Sequence, residues 1–198
     1  MSMPMMMAYN NESYTGAANY QVTTTNVNSF PSPSLKVKVL EVPFDVIEVG
    51  KYSVFEIANW FLSKEPMSHL KLQKLCYYAQ AWNYALKNNR LIDSDFQAWI
   101  HGPVSPALYE KFRSFGFDSI KITGKYKCSI DDEDLEILES VWMTYGSYAA
   151  NALEALTHRE LPWIEARTGY KSEERCQVVI LPSTMKKYYL SIYNGDMS

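Results

Sequence analysis

Residues 68–89 read SHLKLQKLCYYAQAWNYALKNN, twenty-two positions without a glycine or a proline. Ser68 is a natural N-cap. Leu72, Leu75, Cys76, Ala79, Trp82 and Leu86 recur at three- and four-residue steps. At about 100° per residue they cover one broad arc of a helix. His69, Gln73, Tyr77, Gln80 and Tyr84 fall on an adjacent arc, polar and aromatic in character. Lys71 and Lys74 lie towards the far side, with Tyr78 between them and the edge of the core. A long amphipathic helix of this kind needs partners for its apolar arc, so the fold is built around it.

The flanking sequence supplies those partners. SVFE at 53–56 has the reciprocal capping pattern, with Ser53 as N-cap and Glu56 reaching back; Ile57, Ala58 and Phe61 follow as a buried stripe. Ser105 and Pro106 start a further helix with Leu108, Phe112 and Phe115 on its core face, ended by Gly116. SIKITGKYKCS at 119–129 alternates around Thr123-Gly124 and predicts a small β-hairpin. Residues 129–146 predict a fourth helix. Its acids sit at the N-terminus, and Leu135, Leu138, Val141, Trp142 and Tyr145 form its stripe. A fifth helix is expected after Ser147, a short sixth from Pro162, and a seventh after Pro182. The expected fold is therefore mainly α: a compact single domain of about seven helices with one small hairpin, over 53–198. Residues 1–52 read as an extension. Residues 1–34 hold no Lys or Arg and no hydrophobic period, which predicts a disordered tail; LKVKVLEV at 35–42 alternates as a short strand.

Bulk properties narrow the function classes. The 198 residues are 47% hydrophobic and 14% aromatic, with fifteen tyrosines and five tryptophans. That richness suits both a core and a protein-binding face. The net charge of −3 gives no basic footprint for nucleic acid, and residues 1–52 are too short and aperiodic for a helix-turn-helix. Specific DNA binding is not expected. Cys76, Cys128 and Cys176 are odd in number and far apart, which suits reduced thiols. The methionine-rich start lacks the pattern of a signal peptide, and no run of eighteen apolar residues occurs, so a cytoplasmic protein with no membrane span is expected.

A search for chemistry finds none assembled. His69, His101 and His158 share no metal-ligand spacing, and no nucleotide-binding or nucleophile-elbow motif is present. Cys76 lies on the apolar arc and reads as a small buried hydrophobe. The acids at 131–134 and the lysines at 121, 125 and 127 read as an ordinary helix start and a solvated hairpin. No catalytic residue, metal or cofactor is expected. AWIHGPVSP at 98–106 stands out for rigidity instead. Gly102 permits a sharp turn, Pro103 fixes φ, and Trp99 and Tyr109 flank the turn. Two readings stay open: a fixed corner within the core, or a rigid aromatic surface for another protein.

Three ordered blocks, LKLQKLCYYAQAW (70–82), FQAWIHGPVSPALYEKF (96–112) and ALTHRELPWIEAR (155–167), resemble the Panacea domain of SocA-like and GepA-like proteins. The resemblance runs from about residue 53 to 193. It implies an antitoxin of a bacterial or phage toxin–antitoxin system, without catalytic residues. Its partner would be a cognate protein toxin, small alarmone synthetases being among those the domain is associated with. Direct binding is the implied mode; delivery of the toxin to a host protease is the alternative, and an enzyme of unknown chemistry the remote one. Gln73, Tyr77, Gln80, Trp99, His101, Gly102, Pro103 and Tyr109 are the candidate toxin-binding surface, and the N-terminal extension reads equally as a toxin-gripping arm or a dispensable tail.

Overall fold

A computed structural model describes residues 49–122 and 129–195. The tail and strand expected within 1–48, the tip of the hairpin expected at 119–129, and Cys128 lie outside the described residues. The elements in order are α1 (Val54–Lys64), β1 (Met67–Ser68), α2 (His69–Lys87), β2 (Gln97–Trp99), β3 (Gly102–Val104), α3 (Pro106–Phe112), β4 (Ser119–Ile120), α4 (Asp132–Tyr145), α5 (Ala150–Thr157), α6 (Leu161–Ala166) and α7 (Pro182–Asn194). The fold is mainly α, with seven helices among the described residues.

The expected caps hold where a side chain can reach back. Ser53 and Glu56 form the reciprocal box at α1. Ser68 accepts from the Lys71 N–H at α2, and Ser105 from the Leu108 N–H at α3. Ser147 does not cap α5, which begins at Ala150 behind Ala149 and without a side-chain cap. Phe115 also departs from expectation. A 3₁₀ turn over Arg113–Phe115 follows α3 and rotates this ring outwards, leaving it 40% exposed. In α4 it is Ile137 that is fully buried, while Leu135 is only partly so.

The axis of the domain is α2. It packs against α1, α4, α5, α7 and β3, and fourteen consecutive residues, Leu72 to Ala85, are buried. The helix therefore has no solvent face along its middle, and the polar arc read from the sequence lies inside. Several of the polar groups find partners, although Tyr77 Oη, Gln80 Nε2 and Asn83 Oδ1 have none among the described residues. Gln80 Oε1 accepts from the Ile92 N–H at 2.6 Å, Asn83 donates to Asn89, and Trp82 Nε1 donates to Tyr145 Oη at 3.1 Å. The tyrosines stack rather than project: Tyr78 lies on Tyr145 at 3.9 Å, and Tyr77 packs edge-on to Phe96 and Tyr189.

Two antiparallel ladders tie the helices together. Met67–Ser68 pairs with Ser119–Ile120, so the described part of the hairpin expected there is held by β1. A second hairpin forms from β2 and β3, within the stretch read as a rigid corner. On the other side of β2, Val179 bridges Gln97. Residues on the N-terminal side of the boundary expected at 52/53 also join this body: Tyr52 is buried and its N–H donates to the Leu91 carbonyl at 2.9 Å. Lys51, Lys87 and Tyr52 converge on Asp134, a buried acid in the first turn of α4. Such a charged staple is structural, as the sequence pattern of acids at a helix start implies.

Cys76 is fully buried in the core, and burial pushes its thiol well above the usual range. Cys76→Ala should lower stability by about 1–2 kcal/mol through the lost packing, measured by urea unfolding, and leave the fold intact. A variant that kept its stability but lost function would reopen thiol chemistry.

Candidate functional site

Where the N-terminus of α2, the β2–β3 hairpin and α3 meet, the surface folds into a groove of about 410 Å³. Its walls come from four places in the chain: His69, Leu70 and Gln73; Trp99, Ile100, His101 and Val104; Tyr109; and Arg175, Cys176 and Gln177. An edge-to-face series of rings runs along it, His69 to Tyr109 at 5.9 Å and Tyr109 to Trp99 at 4.9 Å. Trp99 Nε1 donates to Gln97 Oε1 at 2.8 Å, and the Trp99 backbone carbonyl accepts from Trp163 Nε1 at 3.0 Å, so the indole is held by its own strand and the backbone by α6.

The hairpin owes its rigidity to what lies beneath it. Gly102 adopts φ +89°, a region open to glycine and costly for other residues. A methyl group there would sit 2.7 Å from Thr157 Oγ1 and 2.8 Å from Lys74 Cε. Lys74 is fully buried and donates to the Pro103 carbonyl at 3.0 Å. Burial brings its ammonium down to about 7. This corrects its expected place on the far side of α2. Gln73 pairs twice with the backbone of Ser105, accepting from its N–H at 2.8 Å and donating to its carbonyl at 3.1 Å. It thereby sets the position from which Ser105 caps α3.

The eight residues of the expected surface therefore separate. Trp99 and Tyr109 are part-exposed, and His101 stands out into solvent, its Nδ1 2.8 Å from Glu154 Oε1. These three do come together at one groove. Gly102 and Pro103 are buried and shape the turn. Gln73, Tyr77 and Gln80 are at most 2% exposed. The expected exposed stripe is thus enclosed, because the neighbours of α2 close over the arc; of the three only Gln73 lines the groove.

Other contributors were not legible as a pattern. Arg175, Cys176 and Gln177 reach the groove from a segment that precedes α7, about seventy residues beyond the hairpin. Arg167, nearly buried, donates to the carbonyls of Ala98, Lys171, Ser172 and Glu174 and so pins that segment to β2. Its guanidinium lies 5.0 Å from the Trp163 ring, which in turn stacks on His158 at 4.1 Å. Burial lowers both His69 and His158 from the ordinary histidine range. No group of three or more His, Cys, Asp or Glu is placed to hold a metal ion among the described residues, and no described helix is long and apolar enough to cross a membrane.

A rigid aromatic groove on a helical domain is a form that binding surfaces take. The comparisons give the class its name. Residues 72–164 match the model of the family described as antitoxin SocA-like, Panacea domain. The chain is 34% identical over 125 residues to "Antitoxin SocA" of Caulobacter vibrioides (strain NA1000 / CB15N), an overlap of 54% of this chain and 66% of that relative. The SocA-like Panacea antitoxin signature thus covers residues 72–164, just under half of this chain. The chain spans just under two thirds of that relative's length. No solved structure matches it.

Proposed function

We propose that this chain is the antitoxin of a toxin–antitoxin system and neutralises a cognate protein toxin by direct binding in the cytoplasm, using the Trp99–His101–Tyr109 groove. The observation that carries the reading is the convergence of these residues at one groove of about 410 Å³, within the stretch that matches the Panacea antitoxin model. Aromatic side chains held by packing lose little freedom on binding, and tyrosine and tryptophan dominate interface energetics. Residues 53–198 are taken as the neutralising domain, and the mode is steric blocking rather than catalysis.

Growth assays test this: the chain is co-expressed with the product of each neighbouring open reading frame, and a toxic product whose effect it suppresses is the partner. Tyr109→Ala and His101→Ala, checked for an unchanged melt, should each weaken binding of that toxin; Tyr109, the more enclosed, accounts for about 2 kcal/mol, or roughly thirty-fold in affinity. Unchanged affinity in both folded variants would leave the hairpin as a structural corner only. Toxin half-life measured with and without the chain separates blocking from delivery to a protease, since only delivery shortens it.

A further inference from the structure

The segment before α7 forms a sheet edge with no strand on its outer side among the described residues. The Ala98 N–H donates to the Val178 carbonyl at 2.9 Å, and the Ile180 N–H donates to the Phe96 carbonyl at 2.8 Å. With Gln97 opposite Val179, residues 178–180 act as a third strand beside β2, making the order β3, β2, 178–180. Alternate residues of a strand direct their N–H and C=O groups to opposite sides. Val178 and Ile180 therefore face β2, and Gln177 and Val179 direct theirs outwards. Neither residue's backbone has a hydrogen-bond partner among the described residues.

This edge is also apolar on its outer side. Val178, Val179 and Leu181 are exposed, Leu181 by 55%. They border a second groove, of about 190 Å³, whose other walls are Pro162, Glu165 and Ala166 from α6 and Thr184 from α7. Sheet edges in natural proteins are shielded by charge, proline, a bulge or a covering element. Here two valines and a leucine lie open beside unmatched backbone groups, which is the arrangement an incoming strand completes. The same segment carries Arg175, Cys176 and Gln177 in the wall of the first groove. The edge is thus continuous with the surface assigned above to the toxin.

We propose that the Gln177–Val179 edge receives an extended segment of the partner toxin as an added β-strand, with an apolar side chain of that segment seated in the groove between α6 and α7. This rests on the antitoxin reading. Backbone pairing with Gln177 and Val179 supplies affinity, and the small groove between Pro162, Ala166, Val178 and Leu181 selects an aliphatic side chain over a charged one. Such a mode asks only for an extended, apolar stretch in the partner and little else of its fold.

The test uses the full chain and the toxin found by the growth assay. Amide exchange should be fast at Val179 in the isolated chain and at least ten-fold slower in the complex. Val179→Pro removes the outward N–H at an edge position that tolerates proline. It should keep the melting temperature and weaken binding ten-fold or more. Val179→Lys keeps the N–H, places a charge at the groove, and should weaken binding similarly; it serves if the proline variant is unstable. A complex of wild-type affinity with either folded variant, or with Val179 still exchanging freely, overturns the proposal and leaves the antitoxin reading intact. Protection of Val179 in the isolated chain, lost on dilution or on removal of residues 1–48, would assign the edge to a second copy or to the chain's own N-terminal segment instead, and overturns it too. If no neighbouring product is neutralised, both readings fall together.

Discussion

Glu160→Gln should raise the unfolding free energy by up to about 5 kcal/mol at pH 8.5 and leave it nearly unchanged at pH 4.5. Glu160 is buried, accepting hydrogen bonds from Tyr189 Oη at 2.7 Å and Tyr78 Oη at 3.2 Å. Burial pushes its carboxyl from the ordinary 4.5 up to about 8, the two hydroxyls pulling only weakly in the other direction. Between those pH values the unfolded chain has released the proton and the folded chain holds it. Stability therefore falls as pH rises from 4.5 to 8 and is flat beyond. Lys74 has the mirror behaviour. Burial brings it from 10.5 to about 7, the charge of Glu154 opposing only in part. The unfolded chain holds the proton over this interval and the folded chain does not, so stability rises with pH from 7 to 10.5. The two effects overlap, and the wild-type chain should show a stability minimum near pH 7–8. Lys74→Met should stabilise below pH 7, where the ammonium is most costly. Near pH 10 it should not, because the Pro103 carbonyl then loses a neutral donor. Urea titrations from pH 5 to 10 read both slopes. A wild-type curve with its maximum at pH 7–8 would show that one of these groups is solvated in the folded state.

Gly102→Ala should destabilise the domain by about 2–4 kcal/mol. Two costs add. A side chain at φ +89° is strained by about 1 kcal/mol or more, and a Cβ within 2.7–2.9 Å of Thr157 Oγ1 and the end of Lys74 forces repacking worth about 1–3 kcal/mol. For a domain of this size the melting temperature drops by on the order of 10 °C. Lys74→Ala introduced in the same chain opens space on one side, so the double variant should lose less than the sum of the two single losses. Strict additivity would mean that backbone strain alone accounts for the glycine. Either outcome separates the hairpin's architecture from its binding, since Gly102 itself is buried and Tyr109→Ala leaves the turn unaltered.

Much of this protein's local structure is written in short-range pattern. The three- and four-residue spacing of Leu72, Leu75, Ala79 and Trp82 specifies α2, and Ser53, Ser68 and Ser105 place three helix starts, because a cap and its first turn are neighbours in the chain. The three blocks around Trp82, Trp99 and Trp163 likewise carry the likeness to the Panacea family. What the pattern could not carry is which side of α2 meets solvent. Gln73, Tyr77 and Gln80 look like an exposed stripe in one dimension; α7, α4, α5 and the hairpin enclose them in three, with Gln73 paired twice to Ser105 and the oxygen of Gln80 accepting from Ile92. Lys74 is a surface residue by composition and an interior one by geometry, since the closeness of Gly102 and Pro103 is a contact across almost thirty residues. Groove and sheet edge alike are built with residues 175–181, a segment without a period of its own. It acquires a role only when Phe96 and Ala98 hydrogen-bond to it and Arg167 holds the turn before it. Helices follow from neighbours in sequence; burial, charge state and the surfaces left open follow from neighbours in space.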